Sequence, residues 1–376
     1  MSIPITAFSS SHAIELDTEQ LLKLMNVASI EAITSEQREF IRGDILCSCC
    51  GVSGAQIVGP SKSHTTVKAV RQPHFRFRNP TDQDAHLKAC EFYKEESLKM
   101  KSSLINFADE KSDETRFVRS LVCKGIENGI FSQKSIHDMR QWFFELKCNT
   151  GIRMTTTPEA IVWMEGLCKV PTTGRTFQPS KAEKYNFKWK CAAIDSFAED
   201  HSDLLEFLRQ RRVASKFPNS SFKRAKVLSV KHFEQEVWDT SILRPYYKKS
   251  LDLAHFAEKH PDLPYQRKRN TAYLRKGPHT SLLALCSLLL FVSNWEPDEA
   301  EGLLKKLFEA PSATNDTLGN VMGLNPFHDY GAWEVLAIAS ELADRSPANL
   351  DLGKILEETE ARLREEHRIW REATNE

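Results

Sequence analysis

The chain has 376 residues, 41% of them apolar, and its 51 basic side chains are balanced by 51 acidic ones. This size and composition are sufficient for two or three domains with ordinary apolar cores. A net charge of zero provides no argument for a nucleic-acid or membrane partner, so only local segregation of charge could provide one. Nine cysteines without a regular framework exclude a disulfide-rich secreted domain.

The N-terminal residues lack the marks of a targeting signal. Met1–Thr6 has no basic region and no long apolar run. The longest apolar run, Leu282–Val292, is too short to span a bilayer and contains Ser287. We therefore expect a cytoplasmic protein without a membrane partner.

Helix-start signals mark the first 45 residues. Asp17 and Thr18 can cap a helix over residues 19–25, and Thr34 with Gln37 has the form of a capping box before Phe40. These patterns predict that the segment before the first cysteine is helical.

A cluster of metal-ligand types follows. Cys47 and Cys50 have the C-x-x-C spacing that directs two thiolates at one metal ion, and Gly51 gives the turn its conformational freedom. His86 and Cys90 are four residues apart, which on a helix would place both side chains on one face. The set predicts a structural Zn²⁺ site, although free cysteines are also common in apolar cores.

The ligand set has one open alternative. His74 could replace Cys47 or His86 as a ligand, or it could be an exposed loop histidine after Pro73. Cys49 lies inside the knuckle and is expected to point away from the metal ion. A closed site with four protein ligands leaves no position for water, so it would hold the fold and would not catalyse a reaction.

The residues between the two ligand pairs alternate in polarity. Ala55–Val58 and His74–Arg78 predict two strands, and Thr81 or Asp82 resembles the N-cap of a ligand-bearing helix. Together these elements predict a small α/β zinc module, treble-clef-like or ribbon-like.

The order of these motifs resembles a known family. A C-x-x-C-G knuckle, a strand, Pro-His-Phe and then H-x-x-x-C resemble the N-terminal metal-binding segment of competence protein CoiA-like bacterial proteins, over residues Leu46–Tyr93. In that family the segment precedes a nuclease-like domain. The resemblance implies a metal site and a connection to DNA.

The remainder of the chain reads as mostly helical. Helix-like blocks in its last third are Leu251–His260, Ser281–Trp295, Glu299–Phe308, Tyr330–Ala343 and Lys354–Glu372. The predicted fold class is therefore mostly α, with the small zinc module near the N-terminus. We predict three consecutive domains: residues 1–100 with the zinc module, a mixed and mostly helical domain over 101–243, and an all-α domain over 244–376.

One tripeptide could belong to a catalytic site. Glu145 and Lys147 follow an aromatic run, and restriction-type nucleases use such a pair on a strand to hold Mg²⁺ and orient water. The same residues also fit the solvent side of an amphipathic helix. No Gly-rich phosphate loop, G-x-S-x-G or H-E-x-x-H motif is present, so the sequence gives no specific sign of an enzyme or of a small-molecule substrate.

Basic residues gather in three places along the neutral chain. Basic side chains neutralise phosphates and aromatic rings stack on exposed bases, so these clusters predict contacts with nucleic acid, DNA more than RNA. The candidates are Arg211, Arg212, Lys223, Arg224, Arg267, Lys268, Arg269, Tyr273, Arg275 and Lys276. The alternative interpretation is that they are solvated helix faces and loop charges.

These patterns support three functional hypotheses. The leading one is a non-catalytic zinc protein that binds nucleic acid or other protein subunits in a bacterial or mobile-element DNA-processing or antiviral defence system. The alternatives are a metal-dependent nuclease using Glu145 and Lys147, and a protein–protein scaffold with a structural zinc ion.

Overall fold

Helices dominate the structure of this chain. A computed structural model describes residues 4–59, 61–62, 69–71, 73–87, 90, 92–93, 113–171, 175–260, 279–314, 318, 326–327, 329–346 and 350–374. Within these residues the short strands are concentrated towards the N-terminus, in the part that also contains the Cys/His cluster. The predicted fold class, mostly α with a small strand-containing module near the start, is confirmed.

Contacts divide the chain into two compact units, each built from two separate stretches. Unit 1 comprises Met1–Gly151 and Ser241–His328, and unit 2 comprises Ile152–Thr240 and Asp329–Glu376. Each unit combines two stretches that are distant in the sequence, whereas the sequence analysis expected three domains that follow one another along the chain. Those three domains stay a prediction. Periodicity shows which face of a helix is apolar, but not which distant helix covers that face.

Unit 1 begins with a small antiparallel sheet and two capped helices. Its elements are β1 (Thr6–Ser9), β2 (Ile14–Asp17), α1 (Thr18–Leu24), α2 (Ser35–Asp44) and β3 (Ile45–Leu46), with a 3₁₀ turn at Ile30–Ala32. The strand order is β2-β1-β3. Asp17 and Thr34 cap α1 and α2 in reciprocal capping boxes with Gln20 and Gln37, which confirms both predicted helix starts. The strands β1 and β2 were not predicted.

A hairpin follows this sheet in the chain. β4 (Ala55–Val58) pairs antiparallel with β7 (His74–Phe77), Ala55 lying opposite Phe77 and Val58 opposite His74. Both predicted strands are therefore confirmed, the second ending one residue earlier than expected. Between them lies a second short pair, β5 (Ser61–Lys62) with β6 (Ala69–Arg71).

Unit 1 also contains five helices that follow the N-terminal module in the chain, and four of them pack around the fifth, which is apolar. They are α3 (Asp113–Glu127), α4 (Gln133–Cys148), α10 (Arg244–Ala257), α11 (Thr280–Val292) and α12 (Pro297–Glu309), with a 3₁₀ turn at Thr240–Leu243. α11 contacts the other four, and all its side chains from Ser281 to Leu290 are buried. The Ser287 hydroxyl donates to the Leu283 carbonyl at 2.7 Å and lies 3.1 Å from the Ser250 hydroxyl. Among the described residues, no helix is both long and apolar enough to cross a lipid bilayer.

A buried ion pair joins α4 to the N-terminal sheet. Nη1 of Arg140 donates to both carboxylate oxygens of Glu15 at 3.1 Å, and the Thr6 hydroxyl donates to the same carboxylate at 2.6 Å. On the same helix, the ring of His137 stacks on Phe8 with centroids 3.7 Å apart. Removing either charge of the pair would leave the other buried and unpaired, so the pair fixes how α4 meets the sheet.

Unit 2 is built mainly of helices. Its elements are β8 (Gly151–Arg153) at the unit boundary, α5 (Pro158–Leu167), α6 (Trp189–Asp200), α7 (Ser202–Gln210), α8 (Val213–Lys216), α9 (Asn219–His232), β9 (Glu236–Trp238), α13 (Tyr330–Ala343) and α14 (Leu352–Thr374), with a 3₁₀ turn at Pro179–Glu183. β8 pairs with β9. α5, α9 and α13 form the core, and α14 packs along α6 with Leu363 buried.

The burial of α11 leads to a stability prediction. We expect Leu289→Asp to lower the free energy of unfolding by more than about 4 kcal/mol, because an unpaired carboxylate would enter an apolar core. The control is Val230→Asp, which adds the same charge at a side chain that is 63% exposed, whereas Leu289 is fully buried. Soluble yield and urea unfolding of both variants provide the test. Similar behaviour of the two variants would show that α11 is peripheral.

Candidate metal centre

Four buried side chains converge in the N-terminal part of unit 1. The ligand atoms of Cys47, Cys50, His86 and Cys90 all lie within 4.8 Å of one another. The Cys47 and Cys90 sulfurs are 3.9 Å apart, and Nδ1 of His86 lies 3.5 Å from the sulfurs of both Cys50 and Cys90. Tetrahedral bonds of about 2.3 Å to sulfur and about 2.0 Å to nitrogen require separations of about 3.8 and 3.5 Å. The donor set therefore has the dimensions of a tetrahedral metal site.

The first ligand pair lies on a tight turn, as predicted. The Gly51 amide donates to the Cys47 carbonyl at 2.9 Å, and the Cys47 amide donates to the Val52 carbonyl at 2.9 Å. Gly51 has a φ of +67°, a region in which glycine has no steric penalty. The Cys49 amide lies 3.4 Å from the Cys47 sulfur and donates to it. Cys49 is buried and is not one of the four cluster residues, but its side chain hydrogen-bonds with that of Cys90, so its bystander role stays a prediction.

The second ligand pair is not carried on the predicted helix in the part that the structure describes. Residues 79–87 form turns and bends. The Asn79 side chain accepts from the amides of Thr81 and Gln83, and Asp82 has a φ of +59°. Asp84 then forms a bridge with Arg78 and the Ala85 amide donates to Phe77, so the backbone groups that a helix would use are bound to β7 and its extension instead.

Packing fixes the imidazole of His86 within this loop. Its ring contacts Phe77 edge-on, with centroids 5.2 Å apart, and lies 5.7 Å from Phe92. The His86 amide donates to the Asp84 carboxylate at 3.1 Å. A turn closes on Cys90, whose amide donates to the Leu87 carbonyl at 2.8 Å. In the described residues, His86 thus lies in an irregular segment, and its ring nitrogen and the Cys90 sulfur meet in the cluster.

Burial changes the charge state of the cluster thiols. Burial raises the pKa of the Cys47 and Cys90 thiols, because a thiolate loses its hydration there. Hydrogen bonds from the Cys47 and Cys90 side chains lower the pKa of Cys50 far below its ordinary value. Three thiolates would share this buried space only if a metal ion compensated their charge.

His74, the alternative ligand, lies elsewhere. It is the first residue of β7, opposite Val58, and it is buried, which contradicts the expectation of an exposed loop histidine. The four-residue cluster does not include it.

The cluster is connected to the helical part of unit 1. The side-chain amide Nε2 of Gln141, on α4, donates to the Cys49 carbonyl at 2.7 Å. Phe144, one turn further along α4, belongs to the same apolar core as Cys47, Cys49, Cys50 and Cys90. Sequence reasoning did not identify Gln141, because a single glutamine in a helix gives no signal of a distant partner.

The proposed nuclease pair does not have the required strand geometry. Glu145 and Lys147 lie on α4, so the strand that the nuclease alternative requires is not formed here and the amphipathic-helix alternative is confirmed. Side chains two residues apart on a helix point about 200° away from each other, whereas on a strand they would share a face. In the described residues, the Cys47–Cys90 cluster is the one group of three or more His, Cys, Asp or Glu side chains at metal-binding distance.

The predicted nucleic-acid-binding residues fall into three classes. Arg211 pairs with Glu341 at 2.7 Å and Arg224 with Asp329 at 2.6 Å, so these two charges are used inside unit 2. Arg212 and Lys223 are exposed and have no ion pair among the described side chains. The remaining candidates, Arg267, Lys268, Arg269, Tyr273, Arg275 and Lys276, lie outside the described residues.

A glycine next to the knuckle provides a test of this geometry. Gly54 has a φ of +89°, and an added Cβ would lie 2.3 Å from the carbonyl oxygen of Arg78. Gly129 has a φ of +68° but no atom within 4 Å of such a Cβ. We expect Gly129→Ala to cost about 1–2 kcal/mol from backbone strain alone, and Gly54→Ala to cost clearly more. Urea unfolding of the two variants measures the difference, and equal costs would contradict the close approach to Arg78.

Comparisons with family models, with curated proteins and with solved structures find no match to this chain. The resemblance of residues 46–93 to CoiA-like proteins therefore stays a prediction.

Proposed function

We propose that Cys47, Cys50, His86 and Cys90 bind one structural Zn²⁺ ion, and that the chain is a non-catalytic, nucleic-acid-binding component of a larger complex. The observation that carries the zinc assignment is the closed, buried set of four donors with tetrahedral separations. Such a site has no position for substrate or water, so its ion stabilises the fold.

The donor set favours zinc over the other common metal ions. Thiolate sulfur is a poor ligand for Mg²⁺ and Ca²⁺, which bind oxygen. Three thiolates with one imidazole form a standard structural zinc set, and the site contains no carboxylate ligand. Amides of the knuckle and of Phe92 point at the sulfurs, and such hydrogen bonds stabilise bound thiolates.

Nucleic acid is the proposed partner, DNA more than RNA. Support comes from the segregation of basic residues in a neutral chain, and from Arg212 and Lys223, which are exposed without an ion pair among the described side chains. The resemblance to CoiA-like proteins points the same way. We also propose a place for the protein in a bacterial or mobile-element DNA-processing or defence system.

Metal analysis tests the zinc assignment. The purified chain is expected to carry close to one zinc ion, and Cys50→Ser to lose it and unfold the N-terminal module while most helices of unit 2 persist. The matched control is Cys49→Ser, which removes a buried neighbouring thiol that is not a ligand. Zinc content by mass spectrometry and helicity by circular dichroism are the measurements.

Two results would contradict this assignment. One is a native protein without zinc, and the other is a loss of zinc from Cys49→Ser as complete as that from Cys50→Ser. Either would reduce the cluster to a set of buried cysteines beside a histidine.

A salt series tests the nucleic-acid partner. We expect reversal of Arg267, Lys268 and Arg269 to glutamate to weaken binding to any sequence, and to flatten the salt dependence by roughly one unit of slope per lost phosphate contact on duplex DNA. Fluorescence anisotropy with a labelled duplex measures both quantities. Glu145→Ala serves as the control and should bind like wild type.

The opposite outcomes lead to the two alternative functions. Weak binding at low salt that is indifferent to these charges would favour a protein scaffold. Divalent-dependent cleavage that is lost in Glu145→Ala would favour a nuclease.

A further inference from the structure

A basic and aromatic segment of unit 2 is not explained by the metal centre. Residues 175–190 contain five cations, Arg175, Lys181, Lys184, Lys188 and Lys190, and all five are exposed. None of them has an ion pair or side-chain hydrogen bond with a described residue. This distinguishes the segment from α9, where Arg224 and Lys226 are held by carboxylates of the same unit.

The acidic charge within the segment is already engaged. Glu183 is its one carboxylate, and it lies 3.0 Å from Nε2 of His367 and 3.6 Å from the guanidinium of Arg371, both on α14. Within the segment, five unpaired cations therefore stand against one carboxylate that has basic neighbours, and a second carboxylate, Glu199 of α6, accepts from the Thr176 hydroxyl at 2.8 Å. The surface attracts a polyanion although the whole chain is neutral.

Aromatic rings lie among these charges. Phe187 contacts Trp189 with centroids 4.9 Å apart, and both contact Phe177 at about 6 Å. Trp189 continues to His367 at 5.6 Å. The three rings of the segment are half-buried, so each keeps an exposed part while its neighbours hold it in place.

Tyr185 differs from the other rings because its side chain is fully exposed. It makes no ring contact with a described residue. A large apolar ring in water without a structural contact is unusual, and beside unpaired lysines it offers a flat face to a planar ligand.

We propose that residues 175–190 form a contact surface for single-stranded nucleic acid, in which Lys184 and Lys188 neutralise phosphates and Tyr185 stacks on an unpaired base. Bases in a duplex are already stacked and cannot offer a face to Tyr185. An anionic membrane is the less suitable partner, because membrane-surface segments carry a continuous aliphatic face and this one contains no Leu, Ile, Val or Met. The inference rests on the proposed nucleic-acid function and assigns its single-strand contact to this surface.

The test uses the full chain with fluorescein-labelled oligo-dT and oligo-U of 20 nucleotides, a duplex of the same length, and anionic vesicles. Lys184→Glu/Lys188→Glu is expected to weaken single-strand binding at least tenfold at 100 mM salt, and to lower the slope against salt by roughly 0.7 per lost contact. Tyr185→Ala is expected to weaken it about tenfold with the slope unchanged, and Tyr185→Phe to bind like wild type, because stacking requires the ring and not the hydroxyl.

The matched control is Lys169→Glu/Lys354→Glu, which makes the same change in net charge. Both lysines are exposed and unpaired among the described residues. A Cβ added to Gly166 would lie 3.0 Å from Leu352, and the Lys169 amide donates to the Gly166 carbonyl, so both lysines lie near the start of α14. His367 lies about 20 Å further along that helix. The control is expected to bind single strands like wild type.

Each outcome has one meaning. Loss in the segment variants but not in the control supports the inference, and the oligonucleotide that is bound more tightly identifies DNA or RNA as the ligand. Wild-type affinity in the segment variants, with loss on reversal of residues 267–269, overturns the inference and leaves the proposed function intact. Absence of binding to every nucleic acid, or binding to vesicles alone, overturns both, while zinc content reports separately on the metal centre.

Discussion

The arrangement of the N-terminal module depends on bringing four ligands to one point. Cys47 and Cys90 are 43 residues apart, and the sheet between the knuckle and the segment that carries His86 is the short β4–β7 hairpin with its Arg78–Asp84 bridge. Binding of a structural zinc ion provides about 10–16 kcal/mol, against about 5–15 kcal/mol of stability for a whole domain. A two-stranded hairpin is marginal on its own, so the metal ion in this account supplies what the small core cannot.

The helix α4 carries this constraint to the rest of unit 1. Gln141 binds the knuckle carbonyl, Arg140 pairs with Glu15 of the sheet, and Phe143 on the next turn contacts Trp295 and Phe327. One helix thus contacts the metal module, the N-terminal sheet and the helices around α11. Loss of the metal ion is therefore expected to affect unit 1 beyond its first 93 residues.

The sequence predicted what depends on local patterns. The helix cap at Asp17, the capping box at Thr34, the β4–β7 hairpin and the four ligand types all follow from spacing and residue type. It did not predict the irregular segment at His86. A spacing of four residues between two ligands is typical of a helix face, but it is also compatible with a segment such as this one, in which the Ala85 amide donates to Phe77 of a neighbouring strand. The pairing of Arg224 with Asp329, 105 positions away, and the unpaired state of Lys184 and Lys188 depend on tertiary contacts. The sequence signal for the contact surface at residues 175–190 is the alternation of lysines and aromatic residues in Lys-Tyr-Asn-Phe-Lys-Trp-Lys at 184–190.

X-ray absorption at the zinc edge of the purified protein tests the central claim most directly, because it reports the metal ion and its donors together. The account predicts one zinc ion per chain with three sulfur neighbours at about 2.3 Å and one nitrogen at about 2.0 Å. In Cys50→Ser the three-sulfur shell should disappear, and in Cys49→Ser it should remain. A zinc ion bound mainly by oxygen, or a spectrum that Cys49→Ser and Cys50→Ser change equally, would contradict the assignment of these four residues.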